Sequence, residues 1–204
     1  VGLREDVRRV PCPVTLIDRL VSAQWCDGAG FDNVLGGALA ARRLLEAGHT
    51  RIGCISGDGR EGSANRRRRG FADVLEQAGV PLESVLDVAG DYRFDGGYAA
   101  TAAMVDNGAT AVFCCNDLMA MGLLRGLRER GLSVPADMSV IGYDNIMERF
   151  GIQIEVTTVE QDVAQLARAA WELLSARIGA PGEAHPRLAE PRTRVLAPCL
   201  VDKG

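Results

Sequence analysis

Residues 110–145 read TAVFCCNDLMAMGLLRGLRERGLSVPADMSVIGYDN. The run from Thr110 to Cys115 is apolar, rich in β-formers and too short for a helix. Asn116 and Asp117 can cap a helix that begins at once. Ala120, Leu123, Leu124 and Leu127 then recur at helical spacing, and Gly131 stands where a C′ glycine ends such a helix. Pro135 and Asp137 mark a turn, and Met138 to Tyr143 form a second apolar strand. This is a βαβ unit, so its strands are expected to be parallel and its crossover right-handed. Polar residues gather where the strands end: Asn116 and Asp117 after the first, Asp144 and Asn145 after the second. Open parallel sheets bind ligands outside those carboxyl ends, which places the expected chemistry there.

The same rhythm extends in both directions. Pro13–Asp18 reads as a buried strand, residues 19–31 as a loop holding Trp25, and Arg51–Ser56 and Val85–Val88 as further strands. Asp32 and Asn33, Ser63 and Asp95 are expected caps of three helices, the first two ended by Gly48 and Gly79. After Asp144 the pattern becomes irregular to residue 155. A short strand (Val156–Glu160), a long helix capped by Asp162, a loop over 179–191 and a last strand (Arg192–Ala197) follow. Alternating strands and helices give an α/β class with parallel sheets.

Composition narrows the function. The 204 residues are 47% hydrophobic and 25% charged, suited to a globular chain with a sizeable core. A net charge of −4 provides no basic footprint for nucleic acid. No apolar run reaches the roughly 20 residues that span a bilayer, so no membrane partner is expected. No leader is visible in VGLREDVRRVP. Cys12, Cys26, Cys54, Cys114, Cys115 and Cys199 form no C-x-x-C pair and read as buried, reduced thiols, consistent with a cytoplasmic protein. His49 and His185 have no ligand-spaced partners, so no metal and no cofactor are expected. His49, after Gly48, reads as a cap or helix-dipole contact. There is no G-x-S-x-G, Walker loop or Ser/His/Asp set, which disfavours an enzyme.

Four blocks carry a family resemblance: FDNVLGGALAARRLLEAGHTRIGCISG (31–57), RRRRGFADVLEQAG (66–79), GDYRFDGGYAA (90–100) and FCCNDLMAMGLLRGLRERGLSVPADMSVIGYDN (113–145). Together they resemble the LacI/GalR family of bacterial transcriptional regulators. The resemblance implies a type I periplasmic-binding-protein-like fold of two Rossmann-like subdomains with a ligand cleft between them. By analogy one subdomain takes 1–31 and 160–180 and the other 32–159 and 181–204. The first is expected to be truncated, lacking its first βα units, and the helix-turn-helix of the family is expected to be absent. It further implies an allosteric, homodimeric effector-binding domain of a repressor. Its partners would be a sugar or nucleoside-like effector and, through the absent helix-turn-helix only, operator DNA. A periplasmic sugar-binding protein is the alternative of the same fold.

The candidate site residues follow. Within the run Arg66–Arg69, four consecutive helical residues point in four directions, so one or two at most can face a ligand. The resemblance selects Arg67, whose planar fork suits a carboxylate or vicinal hydroxyls. It also places Asn116 and Asp144 at the ligand and matches Tyr92 to an aromatic that stacks on it. Asp32 and Ser63 read both as caps and as pocket walls. Trp25 reads as a stacking surface or as a gap filler. Gly57, Gly59 and Gly62 satisfy G-x-G-x-x-G, which raises an NAD-dependent oxidoreductase as a further alternative. Asp58, Arg60 and Glu61 crowd the loop, however, and the acid that should meet the ribose comes too late. A cleft loop is the preferred reading.

Overall fold

The computed structural model describes residues 12–18, 25–57, 62–81, 85–146, 151, 156–178 and 190–203. The chain forms two units. One comprises Val1–Asp32 with Asp162–Ala197, the other Asn33–Gln161 with Pro198–Gly204.

The larger unit contains helices α1 (Asn33–Glu46), α2 (Ser63–Gln77), α3 (Phe94–Asp106) and α4 (Asp117–Glu129). Its strands are β3 (Ile52–Ser56), β4 (Val85–Ala89), β5 (Ala111–Cys114), β6 (Ser139–Asp144), β7 (Thr157–Glu160) and β9 (Cys199–Val201). They form one sheet in the order β4-β3-β5-β6-β7-β9, parallel except for β9, which runs antiparallel to β7. The antiparallel β9 differs from the all-parallel expectation: it returns straight from Pro198 to the sheet edge, with no crossover helix to reverse it. The chain moves one way from β3 to β4 and the other way from β5 to β6. Right-handed crossovers therefore put α2 on one face and α4 on the other. The carboxyl ends of β3 and β5 flank that reversal, the point where doubly wound sheets take their ligands.

Close helix pairing makes this layering possible. A Cβ on Gly37 would strike the Arg67 carbonyl, and one on Gly70 the Val34 carbonyl, so α1 and α2 cross backbone to backbone. Gly97 and Gly122 do the same for α3 and α4, against the carbonyls of Met119 and Phe94. The expected helix stops hold: Gly48 and Gly131 take φ of 83° and 73°, a left-handed conformation that costs glycine no Cβ clash. The amide of the next residue then bonds back into the last turn, His49 to Leu44 and Leu132 to Leu127. Two expected caps move: Gly62 and Arg93 occupy the N-cap positions of α2 and α3, leaving Ser63 and Asp95 inside the first turns. Asp162 caps its helix as read, its Oδ1 accepting from the amides of Ala164 and Gln165.

His49 is not a cap. Its Nδ1 lies 3.0 Å from the Thr110 hydroxyl and its Nε2 2.9 Å from the Ser139 hydroxyl, joining the amino ends of β5 and β6. Burial, and secondarily the nearby Arg43, lower its pKa, which favours the neutral ring. All six cysteines are free thiols, but only Cys54, Cys114 and Cys115 are buried; Cys26 is half-buried and Cys12 and Cys199 are exposed, contrary to the blanket expectation. A hydrogen bond with Cys115, and then burial, push the Cys54 thiol well up, and burial does the same for Cys114.

The smaller unit has β1 (Thr15–Ile17), β2 (Asp27–Phe31) and β8 (Thr193–Leu196), all parallel in the order β1-β2-β8, with α5 (Val163–Ile178) packed on them. Strand β2 lies in the stretch read as a loop. DGAGF has poor intrinsic β-propensity, and pairing on both sides overrides it. Strand β8 pairs with β2, so Thr193–Leu196 belongs to this unit and not, as the boundaries above had it, to the other. Among the described residues no helix is long and apolar enough to cross a membrane.

Asp27 anchors this unit. It is 2% exposed, and the Nε and Nη2 of Arg177 donate to its two oxygens at 2.9 and 2.7 Å. The Arg192 amide and guanidinium add bonds of 2.8 and 2.7 Å. Burial alone would raise the carboxyl. The arginine bonds outweigh it and bring the pKa down to about 2. Removing one partner of a buried pair strands the other, so Asp27→Ala should destabilise this unit by about 3–5 kcal/mol in urea unfolding. Because the folded pKa lies below the unfolded value of about 3.9, the wild-type contribution is complete above pH ~4. It should disappear as pH falls towards about 2, and that loss should be missing from the variant.

Candidate functional site

The site is built on the carboxyl edge of the six-stranded sheet, around Arg67. Arg67 and Phe71 are four residues apart on α2, so both face the sheet. Phe71 stacks on Phe113 of β5 at 4.9 Å, and Phe113 meets Tyr143 of β6 at 6.4 Å. The Arg67 guanidinium lies 3.7 Å from the centre of the Tyr143 ring. Burial pushes the Tyr143 phenol up to about 12, against the pull of that cation. The Tyr143 phenol in turn presses on α1 at Gly36, where a Cβ would collide with it.

Arg67 is only 5% exposed, and its donors are used in several directions. Nε donates to Asn33 Oδ1 at 2.8 Å and Nη1 to the Cys115 carbonyl at 2.6 Å. Nη2 donates to Gln161 Oε1 at 3.4 Å and pairs with Asp144 Oδ1 at 3.3 Å. Arg68 and Arg69 face outward, where Arg68 pairs with Asp87 and Arg69 with Asp73, while Arg66 is half-buried. Arg67 is thus a buried cation held by protein groups, and its carboxylate partner Asp144 stays half-buried.

Asn116 is likewise committed to the protein. Its Oδ1 accepts from the Met119 amide at 2.9 Å, capping α4, and its Nδ2 donates to the Tyr92 carbonyl at 2.9 Å. The cap expected of it is present, and one of its amide donors is taken by backbone. Tyr92 follows β4, is half-buried, and lies against Gly57, where a Cβ would collide with its phenol. Ser63 opens α2 at this edge. Loop residues Asp58, Gly59, Arg60 and Glu61 lie outside the described residues, as does His185.

Backbone strain concentrates here. The non-glycine residues with positive φ among those described are Asp18, Tyr92, Asp144 and Asn145, at 56°, 64°, 106° and 48°. Each follows or ends a parallel strand at its carboxyl end. Such conformations cost on the order of 1–3 kcal/mol each and persist where neighbours over-determine them. Asn145 is fixed by a 3.3 Å bond to Glu160. Asp117, which the sequence read as a candidate helix cap at this strand end, braces the same corner. Its carboxylate accepts from the Ile146 amide at 3.0 Å and the Thr158 hydroxyl at 2.8 Å. Burial raises its pKa against those bonds. Asn33 and Gln161 do not stand out in the sequence, because their neighbours in the chain show only a cap and a strand end. The packing of α1 on α2 brings Asn33 to Arg67, and the pairing of β6 with β7 brings Gln161.

Two candidates lie on the smaller unit. Asp32 follows β2 at its carboxyl end, its amide donating to the Leu196 carbonyl at 2.8 Å. Trp25 precedes β2 and so belongs to the opposite, amino edge. Seven residues of extended chain separate the pair by up to about 20 Å. The sequence read Trp25 in a loop running up to the Asp32 cap because it missed the strand between them. Among the described residues no group of three or more His, Cys, Asp or Glu is arranged to hold a metal.

A doubly wound sheet with strained polar residues along its carboxyl edge is the architecture of a ligand-binding α/β domain. The periplasmic binding protein-like domain model matches residues 41–202. The HTH-type transcriptional repressor PurR of Yersinia pestis (strain Pestoides F) is 35% identical over 208 residues, covering 95% of this chain and 59% of the repressor. This chain therefore spans about three-fifths of the length of that relative. A LacI family transcriptional regulator from Enterococcus faecium, solved with bound ribose, superposes with a TM-score of 0.82 at 32% identity, over 93% of this chain and 68% of that one. The transcriptional regulator CelR in complex with cellobiose gives 0.79 and 32%, over 92% and 57%. The chain belongs to the LacI family of transcriptional regulators, through its periplasmic binding protein-like domain.

Asn116 separates capping from positioning. Asn116→Ala should cost about 1–2 kcal/mol in urea unfolding through the lost cap. Asn116→Asp should retain most of that stability while losing the donor to Tyr92, read as a shift of the Tyr92 ring and amide resonances.

Proposed function

We propose that this chain is the effector-sensing and dimerisation part of a LacI-type repressor. It binds a small polyhydroxylated ligand, a sugar or nucleoside-like molecule, at the carboxyl edge of the six-stranded sheet. The observation that carries the reading is the half-buried Asp144 on strained backbone, backed by the buried cation of Arg67. A carboxylate offers only acceptors, so it selects donors such as sugar hydroxyls. The aromatic Tyr92 supplies an apolar face beside it, and Ser63 a further hydroxyl. The sugars bound by the Enterococcus faecium regulator and by CelR support the same ligand class. An apolar ligand would leave such groups unpaired, at about 1–3 kcal/mol each.

In this reading the ligand biases a two-state equilibrium by no more than its differential affinity for the two states. Operator DNA is engaged by a helix-turn-helix elsewhere in the longer protein, since a net charge of −4 gives this stretch no basic footprint. No cofactor and no enzymatic step enter the reading. Calorimetric titration of the chain with D-ribose, cellobiose and a panel of related sugars tests it. Asp144→Ala and Arg67→Ala should each weaken the sugar that binds by about tenfold or more, equivalent to about 1.4 kcal/mol, with the circular dichroism spectrum unchanged. Unchanged affinity in both variants would refute the assignment of the site.

The dimer has a candidate face on α3 and α4, where Phe94, Tyr98 and Leu118 are exposed. Light scattering should report a homodimer at tens of micromolar, and Leu118→Glu combined with Phe94→Glu should shift it to monomer. A wild-type chain that stays monomeric would remove this part of the reading.

A further inference from the structure

We propose that Arg67 is a positioning residue that wires Asp144 to both ends of the chain segment forming the larger unit. This rests on the reading of Asp144 as the ligand-facing carboxylate. The larger unit's main segment begins at Asn33 and ends at Gln161. These are the residues whose side-chain oxygens accept from Arg67, through Nε and Nη2 respectively. Asn33 and Gln161 are 2% and 8% exposed, so both bonds are sheltered from water. One guanidinium therefore touches the residue at which the chain enters the unit, the residue from which it leaves, and the carboxylate at the site.

The bond lengths show where this node can yield. The Asn33 and Cys115 bonds, at 2.8 and 2.6 Å, are short and fix the Nε and Nη1 sides. The Nη2 corner is held by two longer contacts, 3.3 Å to Asp144 and 3.4 Å to Gln161. It is the loosest point of an otherwise fixed fork. Ligand hydroxyls that donate to Asp144 compete with Nη2 for the same oxygens. As that ion pair weakens, Nη2 closes on Gln161 and tightens the backbone at the point where the chain leaves the unit. The Tyr143 ring, 3.7 Å from the guanidinium carbon, holds the fork on that side. Lysine cannot reproduce this, because a point charge lacks the fixed fork.

The test needs no ligand. Asp144→Asn removes the ion pair while retaining the shape, and so imitates a carboxylate engaged elsewhere. Amide hydrogen exchange of the wild type, Asp144→Asn, Gln161→Ala and the double variant is compared residue by residue. Asp144→Asn is expected to slow exchange at 160–162 by about fivefold or more, the low end of a real coupling. The amides at Thr110 and Ser139, on the far edge of the sheet, should not change. In the Gln161→Ala background the Asp144→Asn effect should vanish, a non-additivity that a purely structural role would not produce. Arg67→Lys should also abolish it. Additive effects, or equal changes at both edges, would overturn the proposal. A failed sugar titration with a positive exchange result would instead reject only the ligand reading.

Discussion

The larger unit depends on one burial. A guanidinium at 5% exposure would be ruinous without partners, because desolvating a cation costs several kcal/mol. Arg67 meets the condition with a backbone carbonyl, two side-chain amide oxygens, a carboxylate and an aromatic face. These five partners come from four elements: Asn33 from α1, Cys115 from the end of β5, Tyr143 and Asp144 from β6, and Gln161 from the end of β7. The charge thus demands that four elements meet in one register, which makes it a specifier of geometry more than a source of stability.

That demand propagates to the neighbouring strand ends. Asp144 must turn back towards Arg67 while the chain leaves β6, and the backbone adopts φ of 106° and 48° at Asp144 and Asn145 to do so. Asp117 ties the same corner to β7 through Thr158, and Asn145 adds its bond to Glu160. On the other side Asn116 clamps Tyr92 in its left-handed conformation. Strain held by surrounding bonds is preorganised: the groups facing a ligand do not need to be ordered when it arrives.

The two units use charge differently. In the smaller one, Asp27, Arg177 and Arg192 lock the starts of β2 and β8 to the end of α5, on the amino side of the sheet, where no binding is expected. The acid is buried and fully bonded, with its pKa drawn down to about 2. In the larger one, the cation is buried and its carboxylate partner stays half-exposed. The first arrangement suits a staple; the second leaves a partly exposed acceptor, which is what the proposed sensing of a ligand requires.

The sequence by itself determined the local layer of this protein. Helical spacing, Gly48 and Gly131 as stops, and the apolar runs at 110–115 and 138–143 are written in nearest-neighbour physics, and they led to the βαβ unit and the edge on which polar residues gather. The family was legible in the same blocks. Only the tertiary structure decided the rest. β2 exists because β1 and β8 pair with a stretch whose own propensity is poor, and its presence moves Trp25 away from Asp32. Arg67, selected from a run of four alike, acquires its role from Asn33 and Gln161, which lie 34 and 94 residues away in the chain. Asn116 caps its helix, as the sequence suggests, and also bonds the Tyr92 carbonyl, which the sequence does not show. The physical reason is the same in each case: a buried polar group is defined by the partners that satisfy it, and those partners are set by strand order and register, which no local pattern encodes.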